Sequence, residues 1–238
     1  MFWLSFSVYA TEELVFKSGE KQNTLVELYT SEGCSSCPPA EKYLNNLVND
    51  SELWKSRFPV AFHVNYWDYI GWKDPYARAE FGQRQSRYAN LQKVSTVYTP
   101  AFMVNGKSWR PGIFSAALPN SQSRVGELVA NIKNDIIKAN FTSTSNDTDS
   151  VKLNVAIIAM DLVSHIERGE NEGRTAEHEF VVIGYSSSSL AEKKNSSFNW
   201  KMQLPKKHFL KANKHGVVVW VSKQNDPTPI QVVGGLLR

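Results

Sequence analysis

Apolar positions along this chain follow two rhythms. Short runs rich in β-branched and aromatic residues read as strands: 24–29 (TLVELY), 59–65 (PVAFHVN) and 101–105 (AFMVN). Between them the spacing becomes helical. Ala40, Tyr43, Leu44, Leu47 and Val48 recur at helical intervals, and so do Tyr76, Phe81, Arg84, Tyr88 and Leu91. Asp74-Pro75 fits the start of this second helix, with Asp as N-cap and Pro in the first turn. Val125, Leu128, Val129, Ile132 and Ile136 predict a further amphipathic helix. Strands alternating with helices over residues 11–140 predict an α/β layer structure.

The pattern changes after 141–150 (FTSTSNDTDS), which is nearly all Ser, Thr, Asn and Asp and reads as a linker. Beyond it, 151–160 (VKLNVAIIAM), 179–186 (EFVVIGYS), 216–222 (GVVVWVS) and 230–237 (IQVVGGLL) predict strands. Residues 151–238 are therefore expected to form a mainly β, sandwich-like C-terminal domain. No stretch approaches the roughly 20 apolar residues of a membrane span. The first ten residues, MFWLSFSVYA, are apolar and uncharged and end on a small-x-small pattern. They read as the remnant of a secretory signal peptide lacking its basic start. A periplasmic or secreted location follows from that reading, and there a disulfide persists.

Composition narrows the field. With 238 residues, 42% hydrophobic and 21% charged, the chain has the make-up of a globular protein. Its net charge is only +4 and its Lys and Arg are scattered, so no nucleic-acid partner is expected. No phosphate-binding glycine loop, carboxylate pair of recognisable spacing or Ser-His-Asp signature is visible.

The two cysteines lie in SEGCSSCPPAE, residues 31–41, between a strand and a helix. Two intervening residues let cysteines in a first helical turn reach disulfide geometry. Cys34 near the helix N-terminus would be the exposed nucleophile, since unpaired N–H groups and the helix dipole favour a thiolate. Cys37, one turn in, would be the resolving thiol. Pro38 and Pro39 suit the first turn, where a missing N–H costs little. Glu32, if close, would oppose thiolate formation. Other readings stay open. A tetrahedral zinc site lacks ligands, because no other Cys exists and the five histidines show no metal spacing. A copper(I) site with His63 or Met103 as third ligand, and a structural disulfide that never turns over, both remain.

A second motif is VSTVYTPAFMVNG, residues 94–106, in which Tyr98-Thr99-Pro100 precedes a strand ending in the turn signal Asn105-Gly106. Strand, C-x-x-C helix, strand and Thr-Pro-strand-hairpin together resemble the thioredoxin fold. VELYTSEGCSSCPPAEKYL, HVNYWDYIGWKDPYA, RQSRYA, VYTPAFMVNG and ERGENEGRTAEHEFVV resemble, more specifically, a family of secreted, mostly bacterial, thioredoxin-like proteins known as domain of unknown function 1223. The resemblance spans nearly the whole chain. It implies an α/β, thioredoxin-like N-terminal domain before the mainly β one. It also implies that Pro100 is cis and sits against Cys34, with Thr99, beside Tyr98, offering backbone groups to a substrate chain.

Aromatic residues crowd 65–77 (NYWDYIGWKDPYA). Trp67 and Trp72 are candidates for the wall of a substrate groove beside Cys34, or else form a satellite core. Gln83, Arg84, Gln85 and Arg87 read as a solvated helix face. In 168–173 (RGENEG) the charges and glycines predict a turn loop, flanked by His165 and His178 without a ligand motif. The functional expectation is a thiol–disulfide oxidoreductase in which Cys34, Cys37 and Pro100 are catalytic, and Thr99, Tyr98, Trp67 and Trp72 bind substrate. Its substrate would be a protein or small-molecule thiol or disulfide. It would need no metal or cofactor but an external redox partner, since no further cysteine can relay electrons. A non-catalytic binding module with a structural disulfide, and a copper(I) chaperone, are the alternatives.

Overall fold

A computed structural model describes residues 13–111, 117–145, 150–209 and 211–237. The leader remnant expected at residues 1–10 lies outside the described residues. The chain runs β1 (Leu14–Lys17), β2 (Thr24–Thr30), α1 (Pro38–Asn45), β3 (Arg57–His63), α2 (Ala79–Asn90), β4 (Ala101–Val104), β5 (Lys107–Trp109), β6 (Gly126–Lys133) and β7 (Ile136–Ser143). It continues with β8 (Val151–Met160), β9 (Leu162–His165), β10 (Thr175–His178), β11 (Val181–Ser188), β12 (Glu192–Lys194), β13 (Ser197–Gln203), β14 (Lys214–Lys223) and β15 (Pro229–Leu236). Two 3₁₀ segments, Asn46–Asn49 and Asn65–Ile70, follow α1 and β3.

Eight strands form one sheet in the order β15-β14-β8-β11-β3-β2-β4-β5. Five more form an antiparallel sheet in the order β1-β6-β7-β13-β12, and β9 pairs with β10 as a hairpin. The two large sheets pack on each other. Leu153, Val155 and Ile157 of β8 meet Leu128, Ile137 and Phe141 of the smaller sheet. The alternate residues Ala156, Ile158 and Met160 face a second core with Leu44 of α1 and Phe81 of α2. Both faces of β8 are therefore covered, which explains its unbroken apolar run.

The expected α/β, thioredoxin-like N-terminal domain followed by a mainly β domain is overturned. Strand far outweighs helix among the described residues, and β2 to β5 share one sheet with β8, β11, β14 and β15. The join is a parallel pairing of Val181 with Ala61, where the Ala61 N–H donates to the Phe180 carbonyl at 2.8 Å. Such a pairing closes an edge of β3 that would otherwise present unpaired backbone groups.

Three local expectations also change. The helix predicted from Val125 to Ile136 is the β6–β7 hairpin, because Leu128, Ala130 and Ile132 are buried at period two. Asn134 and Asp135, both at positive φ, make its two-residue turn. The stretch read as a linker begins inside β7, whose last residues are 141–143. The helix expected from Asp74 starts at Ala79 instead, and Asp74 is buried.

Arg84 is buried as well, not solvated, and Gln85 with it. Its guanidinium meets Glu27 of β2 at 2.6 Å and lies 5.1 to 5.9 Å from the rings of Trp220, Phe62, Tyr88 and Tyr185. The Tyr88 hydroxyl donates to the other Glu27 oxygen at 2.5 Å. A charge sunk this deep needs such partners.

Candidate functional site

β2 ends at Thr30, and the chain turns through Ser31 to Cys37 into α1. The Cys34 N–H donates to the Ser31 carbonyl, and the Cys37 N–H to the Cys34 carbonyl. Cys34 and Cys37 are joined as a disulfide, with Cα atoms 5.4 Å apart. Cys37 is the N-cap of α1, and Pro38 and Pro39 occupy its first turn. The intervening Ser35 and Ser36 are exposed, and the Ser36 hydroxyl lies 3.5 Å from Cys34 Sγ. Cys34 itself, expected to be exposed, has 0% of its surface accessible, as has Cys37.

Two loops pack on the turn that carries the pair. In the first, Trp67 packs its Cβ close to Gly33, where a side chain would crowd it at 3.2 Å. The Trp67 indole N–H donates to Thr99 Oγ1 at 2.7 Å. Trp67 thus ties the cysteine turn to the segment of Tyr98, Thr99 and Pro100. The Thr99–Pro100 bond is cis, as the resemblance implies. The Tyr98 carbonyl accepts from Gln85 at 2.6 Å, and the Arg110 guanidinium lies 5.6 Å from its ring. In the second loop, residues 166–174, the Asn171 amide donates to the carbonyls of Glu32 and Cys34 at 2.7 and 3.0 Å. Gly169 of this loop packs against Trp72, whose indole donates to Glu32 Oε2 at 2.6 Å. Trp67 and Trp72 therefore flank the cysteine turn but contact different elements.

Behind the disulfide lies a buried cluster of charge-bearing groups. His63 Nδ1 is 2.7 Å from Asp74 Oδ2, and His178 Nε2 is 3.0 Å from Glu32 Oε1. His178 Nδ1 lies 3.6 Å from Glu41 Oε2, while the Thr30 hydroxyl donates to Glu41 Oε1 at 2.5 Å. Burial alone would lower the His63 pKa, but Asp74, with Glu41 and Glu32, raises it to about 9. Burial pushes the Asp74 carboxyl up, yet His63 and the N–H groups of Glu32 and Tyr76 hold it below its usual value. A cavity of about 310 Å³ opens onto Glu32 and Glu41, between α1 and the Asn171 loop, with Arg174 and Glu177 on its far wall. A larger cavity, about 1030 Å³, lies elsewhere beside Lys133, Lys206 and Lys214 and holds none of the expected site residues.

Sequence reasoning singled out Cys34, Cys37, Glu32 and the Thr99–Pro100 segment. It missed Glu41 and misread Asp74 as a helix cap. The signal was faint: both are single carboxylates in stretches that otherwise pack. The histidines show no metal spacing along the chain, and only His63 enters the sequence reading as a candidate copper(I) ligand beside the cysteines. The fold instead gathers His63 from the end of β3 with His178 from the end of β10.

A family model described as protein of unknown function (DUF1223) matches residues 25–222. A protein of Agrobacterium tumefaciens with a known crystal structure superposes with a TM-score of 0.61 at 21% identity, over 92% of this chain and 96% of that one. HBP35 of Porphyromonas gingivalis gives a TM-score of 0.61 at 16% identity, over 92% of this chain and 76% of that one. At such identities both likenesses speak to fold alone. No curated protein matches the sequence. No helix among the described residues is long and apolar enough to cross a membrane.

Proposed function

This chain belongs to the DUF1223 family of proteins of unknown function, and we propose that it is an exported thiol–disulfide oxidoreductase acting through Cys34 and Cys37. One observation carries the reading. The disulfide lies at the N-terminal end of α1, its cysteines bracket the exposed Ser35-Ser36, and Trp67, packed on Gly33, donates to Thr99 beside the cis-proline. In the proposed cycle a substrate thiolate attacks Cys34 Sγ, a mixed disulfide forms and Cys37 leaves as a thiolate. A second substrate thiolate then attacks the substrate sulfur of the mixed disulfide. Cys34 leaves as a thiolate, and two electrons have passed from substrate to protein. The same steps in reverse reduce a substrate disulfide. Net direction follows the potential of the pair against its compartment. With only two cysteines in the chain, a thiol or disulfide partner must reset it.

The test is trapping. Reduced Cys37→Ser protein mixed with oxidised glutathione should hold a mixed disulfide on Cys34, because the resolving thiol is gone. Adduct formation no faster than that of a free cysteine peptide would argue against exchange chemistry.

A second reading has its own support. Both sulfurs are fully covered, and Asn171 seals the Cys34 backbone. A binding module whose disulfide only holds the turn fits that burial. In that case either cysteine substitution lowers stability, and no exchange rate exceeds that of a simple buried disulfide.

A further inference from the structure

We infer that Glu41, His63 and His178 form a binding site for one divalent transition-metal ion, zinc(II) foremost. One ligand atom from each of these residues lies within 4.8 Å of the others, and all three residues are buried. They stand on three different elements: Glu41 on α1, His63 at the end of β3 and His178 at the end of β10. The inference does not rest on the redox chemistry of the cysteines.

The surroundings of these residues are those of metal ligands. A ligating histidine almost always gives its other ring nitrogen to a carboxylate or carbonyl, which fixes the ring and its tautomer. Here His63 Nδ1 is held by Asp74 at 2.7 Å and His178 Nε2 by Glu32 at 3.0 Å. Glu32 is itself oriented by the Trp72 indole, and Glu41 Oε1 by the Thr30 hydroxyl. That leaves His63 Nε2, His178 Nδ1 and Glu41 Oε2 as the atoms to ligate. Glu41 Oε2 and His178 Nδ1 are already 3.6 Å apart. Ligands about 2 Å from a tetrahedral zinc lie roughly 3.3 Å from one another, so this pair is nearly in place, and the remaining separations, at most 4.8 Å, close by up to about 1.5 Å on binding.

An unmet need points the same way. His63 is 1% exposed, and its Nε2 has no hydrogen-bond partner among the described residues. Buried ring nitrogens are seldom left so, because the loss of water is then uncompensated. A self-sufficient ion-pair network would have given that atom an acceptor. A metal ion gives it a bond. Charge agrees, since three carboxylates, Glu32, Glu41 and Asp74, share this volume with two imidazoles. Two imidazoles and one carboxylate suit zinc or ferrous iron better than calcium or magnesium. Glu32 and Glu41 both line the 310 Å³ cavity, which offers the route in and room for a further ligand.

The test uses the full chain with its disulfide intact, stripped with chelator and titrated with zinc chloride by calorimetry. Cobalt(II) serves as the spectroscopic probe. The expected result is one ion per chain and visible cobalt bands without thiolate-to-metal absorption. His63→Gln and Glu41→Gln should each weaken binding about 100-fold or more, and Asp74→Asn about 10- to 100-fold. The double variant Cys34→Ser, Cys37→Ser should bind as the parent does. Uptake below about a tenth of an equivalent by the parent protein at saturating zinc overturns the inference. So does unchanged affinity in folded His63→Gln, or binding that vanishes with the cysteines. Should the substitutions unfold the chain, the parent's stoichiometry and cobalt spectrum decide alone.

Discussion

Arg84 shows how much a single buried side chain can hold. It pairs with Glu27 beneath four aromatic rings, and neither charge reaches water. Removing one partner of such a pair strands the other. Arg84→Ala is therefore expected to cost about 3–5 kcal/mol, read as a lower urea midpoint. A loss under about 1 kcal/mol, as at an exposed pair, would show that the site is wetter than described. His208 makes a different prediction. Burial, then Arg78, lower its pKa to about 4, while its Nε2 donates to the Tyr76 carbonyl. The unfolded chain takes up this proton near pH 6.5, the folded one only near 4. Its contribution is thus complete above about pH 6.5 and is lost as pH falls towards 4. His208→Gln should lose less stability than the parent between pH 7 and 4.5, and an equal loss in both would refute the assignment. At this scale the sequence was a partial guide. Cys34, Cys37 and Pro100 stood out because Cys and Pro have few roles. Arg84 and Asp74 did not, because a charged side chain reads as solvated until its partner across the fold is known.

Among the elements, the loop over residues 166–174 is tied to the cysteine turn, and the expected consequence is that it limits access to the disulfide. Asn171 anchors it through two hydrogen bonds to backbone carbonyls, one of them that of Cys34. Asn171→Ala removes both, at about 1 kcal/mol each. Reduction of the disulfide by a phosphine should then speed up roughly 5- to 30-fold, as 1–2 kcal/mol of lost closure implies. An unchanged rate would mean that this loop does not gate the pair. Elements with strong periodicity were legible. β2, β8, β14 and α1 fall close to where the pattern put them. The β6–β7 hairpin was not, because Val125, Leu128, Val129 and Ile132 also fit a helical spacing. Only the pairing of β6 with β1 and β7, and the turn at Asn134 and Asp135, decide for strands.

For the whole molecule, long-range pairing decides what local pattern cannot. The Val181–Ala61 join crosses the chain and brings β11 beside β3. Gln231, fully buried on β15, donates to the carbonyls of Gly19, Lys21 and Gly126 and so ties the two large sheets together. Nothing local announces either contact, and the thioredoxin-like division expected from the motifs gave way to a mostly β assembly for that reason. The assembly presses α1, the Asn171 loop and the Trp67 segment around one disulfide. Whether that disulfide exchanges is the central claim, and its reduction potential in glutathione buffers tests it most directly. An exchanger should lie between roughly −120 and −270 mV, and a value there is expected. A potential below about −300 mV, that of an inert structural bridge, would contradict it.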